Sequence, residues 1–134
     1  MIVVDTNVVC YVLLAREKTE SARAVFEKDS DWVLPPLWEH EFLNVLANYV
    51  RHGQADPSLM KTAWYRGLEF FRSVERQPSM DSALELAAKY DISAYDAQFV
   101  ALARSLGVPL VSEDRRLRRR CPETVVSMTD YLKS

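Results

Sequence analysis

Short unbroken apolar runs alternate along the chain with longer stretches of helical periodicity. Ile2-Val3-Val4, Trp32-Val33-Leu34, Pro109-Leu110-Val111-Ser112 and Thr124-Val125-Val126 are the short runs. None shows the polar alternation of a half-exposed strand, so each predicts a strand covered on both faces, as in a parallel sheet. Val8 to Leu14 predicts a helix that starts where the first strand stops. Thr19 can cap a helix to about Lys28, with Ala22, Val25 and Phe26 inward, before Asp29-Ser30-Asp31 breaks it. Past Pro35-Pro36 an amphipathic helix runs from about Leu37 to His52 and stops at Gly53. Trp38, Phe42, Val45, Leu46 and Tyr49 form its core stripe, with Glu41, Asn44 and Asn48 along one edge. Asp56-Pro57 opens a helix that runs to about Val74. Further helices are predicted over Met80 to Tyr90 and from Ser93-Ala94-Tyr95-Asp96 to Leu106, the latter stopped by Gly107. Arg115 to Arg120 reads as a short helical turn and Asp130 to Lys133 as a terminal turn.

Strands separated in this way by helices predict an α/β fold, with helices layered on a mostly parallel sheet. The 134 residues fit a single domain spanning 1–134. Hydrophobic residues make up 49% of them, enough for a real core without staples. No apolar run approaches the length of a membrane span, and no export signal opens the chain, so a cytoplasmic protein is expected. Cys10 and Cys121 match no metal or redox spacing and are expected as free thiols. The net charge of -2 argues against a module that binds nucleic acid through bulk charge. It leaves open a metal-dependent enzyme on phosphate esters, whose site must itself be rich in carboxylates.

Four acids stand out by position. Asp5 ends the first strand, where ligands bind in open α/β sheets, although Asp5-Thr6-Asn7 also offers three helix-capping residue types. Asp96 fits the acid of a capping box begun by Ser93, yet Phe99, Val100 and Ala103 follow at helical spacing and turn it inward. A lone buried carboxylate is costly unless paired, protonated or metal-bound. Asp114 repeats the layout of Asp5 at the end of Leu110-Val111, and Glu41 lies on the edge of a core-facing helix. Each acid alone is explained as a cap or a solvated flank. Together they would repel and raise one another's pKa values, a penalty that a divalent cation removes. Oxygen-only donors favour Mg²⁺ or Mn²⁺ over zinc, and hydrolysis of a phosphodiester is the chemistry such a site suits.

The segments Ile2-Val3-Val4-Asp5-Thr6-Asn7, Glu41-x-x-Asn44-Val45-Leu46, Ser93-Ala94-Tyr95-Asp96-Ala97 and Leu110-Val111-Ser112-Glu113-Asp114-Arg115-Arg116-Leu117 resemble the PIN-domain ribonucleases, in particular the VapC-type toxins of toxin–antitoxin pairs. The resemblance runs through the whole chain in order and length. It implies a three-layer α/β/α PIN-like fold, a Mg²⁺ or Mn²⁺ site, cleavage of RNA, a homodimer and inhibition by a small antitoxin protein. It also implies Asp5 and Asp96 as principal metal ligands, Glu41 as a ligand or water-orienting group, and Asp114 acting directly or through water. Ser112 stands where Thr is common in the family, and Asn7 would support the acids by hydrogen bonds. Glu113 precedes Asp114, so either could be the fourth acid; motif position favours Asp114.

Arg115, Arg116, Arg118, Arg119 and Arg120 follow that acid closely, either as a solvated charged turn or as a basic rim for RNA phosphates. Trp64, Tyr65, Phe70 and Phe71 supply either core or a partner surface. Two rival functions fit less well. An inactive PIN-like scaffold has no physical need for four clustered acids. A Mg²⁺-dependent small-molecule phosphohydrolase of the haloacid-dehalogenase type would want an acid at Asn7, and with only three glycines the chain has no phosphate-cradling loop.

Overall fold

A computed structural model describes all residues, 1–134. The four apolar runs form one sheet of β1 (Ile2–Val4), β2 (Trp32–Val33), β3 (Leu110–Val111) and β4 (Val125–Val126). Their order is β2-β1-β3-β4, and every neighbouring pair is parallel. Around them lie α1 (Thr6–Leu13), α2 (Thr19–Lys28), α3 (Leu37–Arg51), α4 (Pro57–Phe71), α5 (Met80–Tyr90), α6 (Ala94–Leu106), α7 (Arg115–Arg120) and α8 (Met128–Lys133). This is the expected α/β/α arrangement. Helix α6 packs on β1 and β3, and α1 packs on α2, α3 and α4. All three residues of β1 are buried, as the unbroken apolar run requires. No helix is long and apolar enough to cross a membrane. Cys10 and Cys121 are free and buried.

The pairing register carries the functional consequence. Val3 lies beside Leu110 and Val4 beside Val111. Strands β1 and β3 therefore end level, and Asp5 and Ser112 leave the sheet side by side.

Several boundaries differ from the sequence expectation, beginning with α1, which starts at Thr6 rather than Val8. Helix α4 stops at Phe71, and Arg72–Val74 form a 3₁₀ turn. There Arg72 makes a bidentate bond to Glu39 on α3, at 2.8 and 3.2 Å. The chain then runs along the sheet edge, where the Leu34 amide donates to the Val74 carbonyl and the Arg76 amide to the Leu34 carbonyl. This covers the outer edge of β2, which would otherwise present unpaired backbone. The terminal turn is a helix, α8, because Ser127 caps the Asp130 amide and the Glu113 carboxylate caps the Met128 amide. Only the first of those caps is local in sequence. Strands β2, β3 and β4 are also shorter than their apolar runs, since Leu34, Pro109, Ser112 and Thr124 fall outside the ladders.

The core stripe of α3 is Trp38, Phe42 and Leu46, all buried, with Val45 and Tyr49 only partly so. Phe42 stacks against Trp38 at 5.6 Å and Trp64 at 6.1 Å. Helix α4 comes close enough for this because Gly67 has no side chain. A Cβ there would lie 2.7 Å from Phe42 Cε2 and 3.1 Å from Leu13 Cδ1. Gly67→Ala should therefore destabilise the fold by about 1–3 kcal/mol despite its better helix propensity, as measured by urea unfolding.

At the same edge, Trp38 Nε1 donates to Glu75 at 2.7 Å. Burial, and the Glu39 carboxylate beside it, push the Glu75 carboxyl up to about 7. A carboxyl whose folded pKa is raised makes its full contribution while protonated, and stability falls as pH rises from the free value of 4.5 through 7. Glu75→Gln retains an acceptor for Trp38 and supplies a donor for Glu39. It should flatten the dependence of unfolding free energy on pH between about 4.5 and 7; an unchanged slope would place the titration elsewhere.

Candidate functional site

Asp5 follows β1 and caps α1, its Oδ1 accepting from the Val8 amide at 3.1 Å. The capping role and the site role thus coexist on two oxygens, because Oδ2 accepts from the Ser112 hydroxyl. Ser112 is fully buried, and its Oγ also accepts from the Asp114 amide at 3.1 Å. One hydroxyl thereby ties two of the acids together. Asp114 caps α7 through the Leu117 amide at 3.0 Å. Asp96 sits in the first turn of α6, where the Ser93 hydroxyl accepts from its amide at 3.0 Å. Glu41, on α3, is held by the buried Thr6 hydroxyl at 2.6 Å.

Asp5, Glu41, Asp96 and Asp114 line one cavity of about 240 Å³ with Thr6, Asn7 and Asn44. Val45, Phe99 and Leu117 make its apolar wall. Acids up to 109 positions apart in the chain thus meet at the carboxyl ends of β1 and β3, where open α/β sheets bind ligands.

The electrostatics are those of crowded acids. Burial pushes Asp5 up to about 6, with Glu41 and Asp96 adding to the rise while Ser112 and the Val8 amide oppose it. Burial raises Glu41 too, reinforced by Asp96 and offset by Thr6. Asp96 is raised by burial and then by Asp114, against Ser93 and Arg116. Three of the four acids stand at helix N-termini, whose partial positive charge favours carboxylates. That lessens the repulsion without removing it. The donor set is entirely oxygen, which fits Mg²⁺ or Mn²⁺. No three of the acids are grouped so that they could hold a metal ion among themselves. Mg²⁺ does not require three, since it commonly takes one or two carboxylates and completes its shell with water and substrate phosphate.

The other residues singled out from sequence divide. Glu113 turns away from the cavity, pairing with Lys18 at 3.2 Å and capping α8, which leaves Asp114 facing the other acids. Asn7 is on the cavity wall and exposed, but its side chain bonds to none of the acids; Thr6 and Ser112 hold them instead. Thr6 was visible only as a capping residue type, and nothing local marked its reach to Glu41, 35 positions away. Asn44 joins the cavity, whereas Asn48 accepts from Arg51. Among the arginines, Arg116 and Arg120 pair with Asp91 at 3.5 Å, and Arg118 donates to the Ser112 carbonyl at 3.1 Å. Arg115 and Arg119 are exposed and have no partner.

Comparison with known proteins agrees with the fold. Ribonuclease VapC3 of Pyrobaculum aerophilum is 26% identical over 131 residues, covering 92% of this chain and 97% of that protein. The crystal structure of PAE2754 from Pyrobaculum aerophilum superposes with a TM-score of 0.76 at 20% identity, over 98% of this chain and 92% of that one. A toxin–antitoxin complex from Klebsiella pneumoniae contains a chain of the same fold, with a TM-score of 0.68 at 16% identity, over 96% of this chain and 98% of that one. The family model of the PIN domain matches residues 2–121. With that match spanning most of its length, the chain belongs to the PIN domain family.

Proposed function

We propose that the protein is a Mg²⁺- or Mn²⁺-dependent endoribonuclease, the toxin of a VapBC-type toxin–antitoxin pair. The observation that carries this reading is the convergence of Asp5, Glu41, Asp96 and Asp114 on one cavity with three of their pKa values raised. The likeness to a protein named as a ribonuclease, and to a chain in a toxin–antitoxin complex, supports it.

Asp5 and Asp96 are the principal cation ligands in this reading. A bound divalent cation would keep the acids ionised, offset phosphate charge and activate water for in-line attack. Glu41, fixed by Thr6, would orient the attacking water and take up its proton. Asp114 completes the rim, positioned through its amide by the same Ser112 that orients Asp5. Arg115 and Arg119 are the arginines free to meet RNA phosphates. Two partners belong to the same proposal. One is a small antitoxin protein. The other is a second copy of this chain, for which exposed Leu43 and Tyr65, on an apolar groove between α3 and α4, offer a surface.

Cleavage of total RNA with Mg²⁺ or Mn²⁺, and its loss in EDTA, tests the central claim. Asp5→Asn and Asp96→Asn should each lower the rate by about 100-fold or more while leaving the circular dichroism spectrum unchanged. Undiminished cleavage by Asp5→Asn, or cleavage in EDTA, would overturn the assignment. Turnover of a small phosphate monoester without RNA cleavage would favour the phosphohydrolase.

The same substitution has an opposite effect on stability. Asp5 titrates at about 6 in the folded protein against 3.8 when free. The native state therefore loses stability as pH rises from about 4 through 6. Asn retains the cap and removes the charge. In metal-free buffer at pH 7.5, Asp5→Asn should be more stable than the natural protein by about 1–2 kcal/mol, less than the full shift because the side chain is partly open to water. Urea unfolding in EDTA at pH 5 and 7.5 measures it; a destabilised variant at both would mean that the carboxylate serves the fold.

For the basic rim, replacing Arg115 and Arg119 together by Ala should leave stability within about 0.5 kcal/mol. It should also make the salt dependence of RNA binding shallower by about 1.4 in log–log slope, about 0.7 for each single-strand phosphate that is no longer neutralised. An unchanged slope, from filter binding at several salt concentrations, returns the segment to a solvated turn.

A further inference from the structure

At the opposite end of α1 from Asp5, Arg16 occupies the turn into α2. Its guanidinium lies over the Tyr11 ring at 5.1 Å and the Tyr49 ring at 5.8 Å. Its Nη1 is buried and has no hydrogen-bond acceptor, the one buried side-chain polar atom in the protein so placed. The two aromatic faces stabilise the positive charge but supply no lone pair to the N–H groups. Leaving a charged donor unsatisfied in the interior is costly, and such groups are rare in folded proteins.

Arg16 also lines a cavity of about 370 Å³ between the end of α1, the end of α3 and the start of α4. Leu13, Leu14, Leu59, Met60 and Ala63 are among the residues that give it a largely apolar wall. Arg66 lines it as a second cation, and no Asp or Glu does. In a chain that carries a net charge of -2, this is a pocket with two positive charges and no negative one. Its shape and chemistry are those of a ligand site: concave, mostly apolar, with a few polar groups to fix orientation.

We infer that this pocket binds a carboxylate carried on a compact apolar group. The Arg16 guanidinium would turn from the tyrosine faces to bring its buried Nη1 to the carboxylate in a planar two-point contact, and the apolar body would cover the leucines and Met60. A phosphate suits the site less well, because a doubly charged group would have to shed its water against an apolar wall. The volume lies near the lower end for small-molecule sites, so a phenyl or branched aliphatic body fits. The carboxylate can arrive on a free organic acid or as an acidic side chain flanked by apolar ones on a peptide. The inference does not rest on the nuclease reading, since none of its residues borders the acidic cavity.

Calorimetric titration of the full chain with 4-phenylbutyrate, its neutral amide, and the capped peptide acetyl-Leu-Glu-Leu-amide tests it. At least one of the two carboxylates should bind saturably and shift the Tyr11 and Tyr49 ring resonances. The corresponding neutral amide, or the peptide with Gln in place of Glu, should bind at least about tenfold more weakly, the scale of one charge-assisted hydrogen-bond pair. Arg16→Gln should weaken binding of the carboxylate by a similar factor. Binding of the free acid identifies a small-molecule site, and binding of the peptide alone identifies a docking point for a protein segment. Equal affinity for charged and neutral probes, or no saturable binding of either carboxylate, overturns the inference. Because the charged and neutral probes are compared on the natural protein, the outcome stands even if Arg16→Gln fails to fold.

Discussion

The candidate site depends on the parallel register between β1 and β3. With Val4 beside Val111, the next residues along, Asp5 and Ser112, emerge together at one rim. Because β1 is buried on both faces, a shift of one residue would either draw the Asp5 carboxylate into the apolar sheet or push Ile2 out of it. Burial of the sheet therefore enforces the register, and the register places the acid beside its hydrogen-bond partner. Ser112 transmits the placement further. Fully buried between the strand and α7, it holds the Asp5 carboxylate with its hydroxyl hydrogen and the Asp114 amide with its lone pair. The same chain of contacts that builds the core thus fixes two of the four acids.

Such an arrangement stores electrostatic cost. Three carboxyl groups are raised because burial and mutual repulsion both disfavour ionisation. The protein counters part of this with what its fold already supplies: the N-termini of α1, α6 and α7, and the hydroxyls of Thr6, Ser93 and Ser112. These compensations orient the acids but bring in no full positive charge beyond Arg116, which is itself engaged with Asp91. The residual imbalance is what a hard divalent cation would relieve. Stability and chemistry pull in opposite directions here, as they commonly do at sites held in a strained electrostatic state.

Much of this was legible in the sequence because it is written locally. Unbroken β-branched runs mark strands buried on both faces, and the phase of Asp96 relative to Phe99, Val100 and Ala103 marks an acid turned inward. Asp5 and Asp114 were legible by analogy of position, each ending a strand. What was hidden depends on contacts between distant segments. Thr6 reads as a cap until the fold sets Glu41 against it. Glu113 and Asp114 are neighbours in sequence with equal chemistry, and only Lys18 and the Met128 amide, drawing Glu113 away, separate their roles. The five arginines look like one basic block, yet Asp91, left-handed at the end of α5, engages two of them and a strand-end carbonyl a third. Helix ends at Phe71 and Met128 shift for the same reason: the bonds that decide them come from α3 and from Glu113.

Helix α3 shows how one element can serve both demands. Trp38, Phe42 and Leu46 lie on one stripe and are buried in the aromatic core, which fixes the helix's rotation and height. Glu41 and Asn44, three residues apart on the edge of that stripe, are then carried to the cavity without any freedom to choose. Gly67 permits the close approach of α4 that completes the packing around Phe42. A change in that aromatic layer would therefore be felt at Glu41 as a displacement rather than as a loss of charge. Positioning of catalytic groups to within fractions of an ångström is what such sites require. The dense packing beneath α3 is therefore as much a part of the proposed chemistry as the carboxylate it presents.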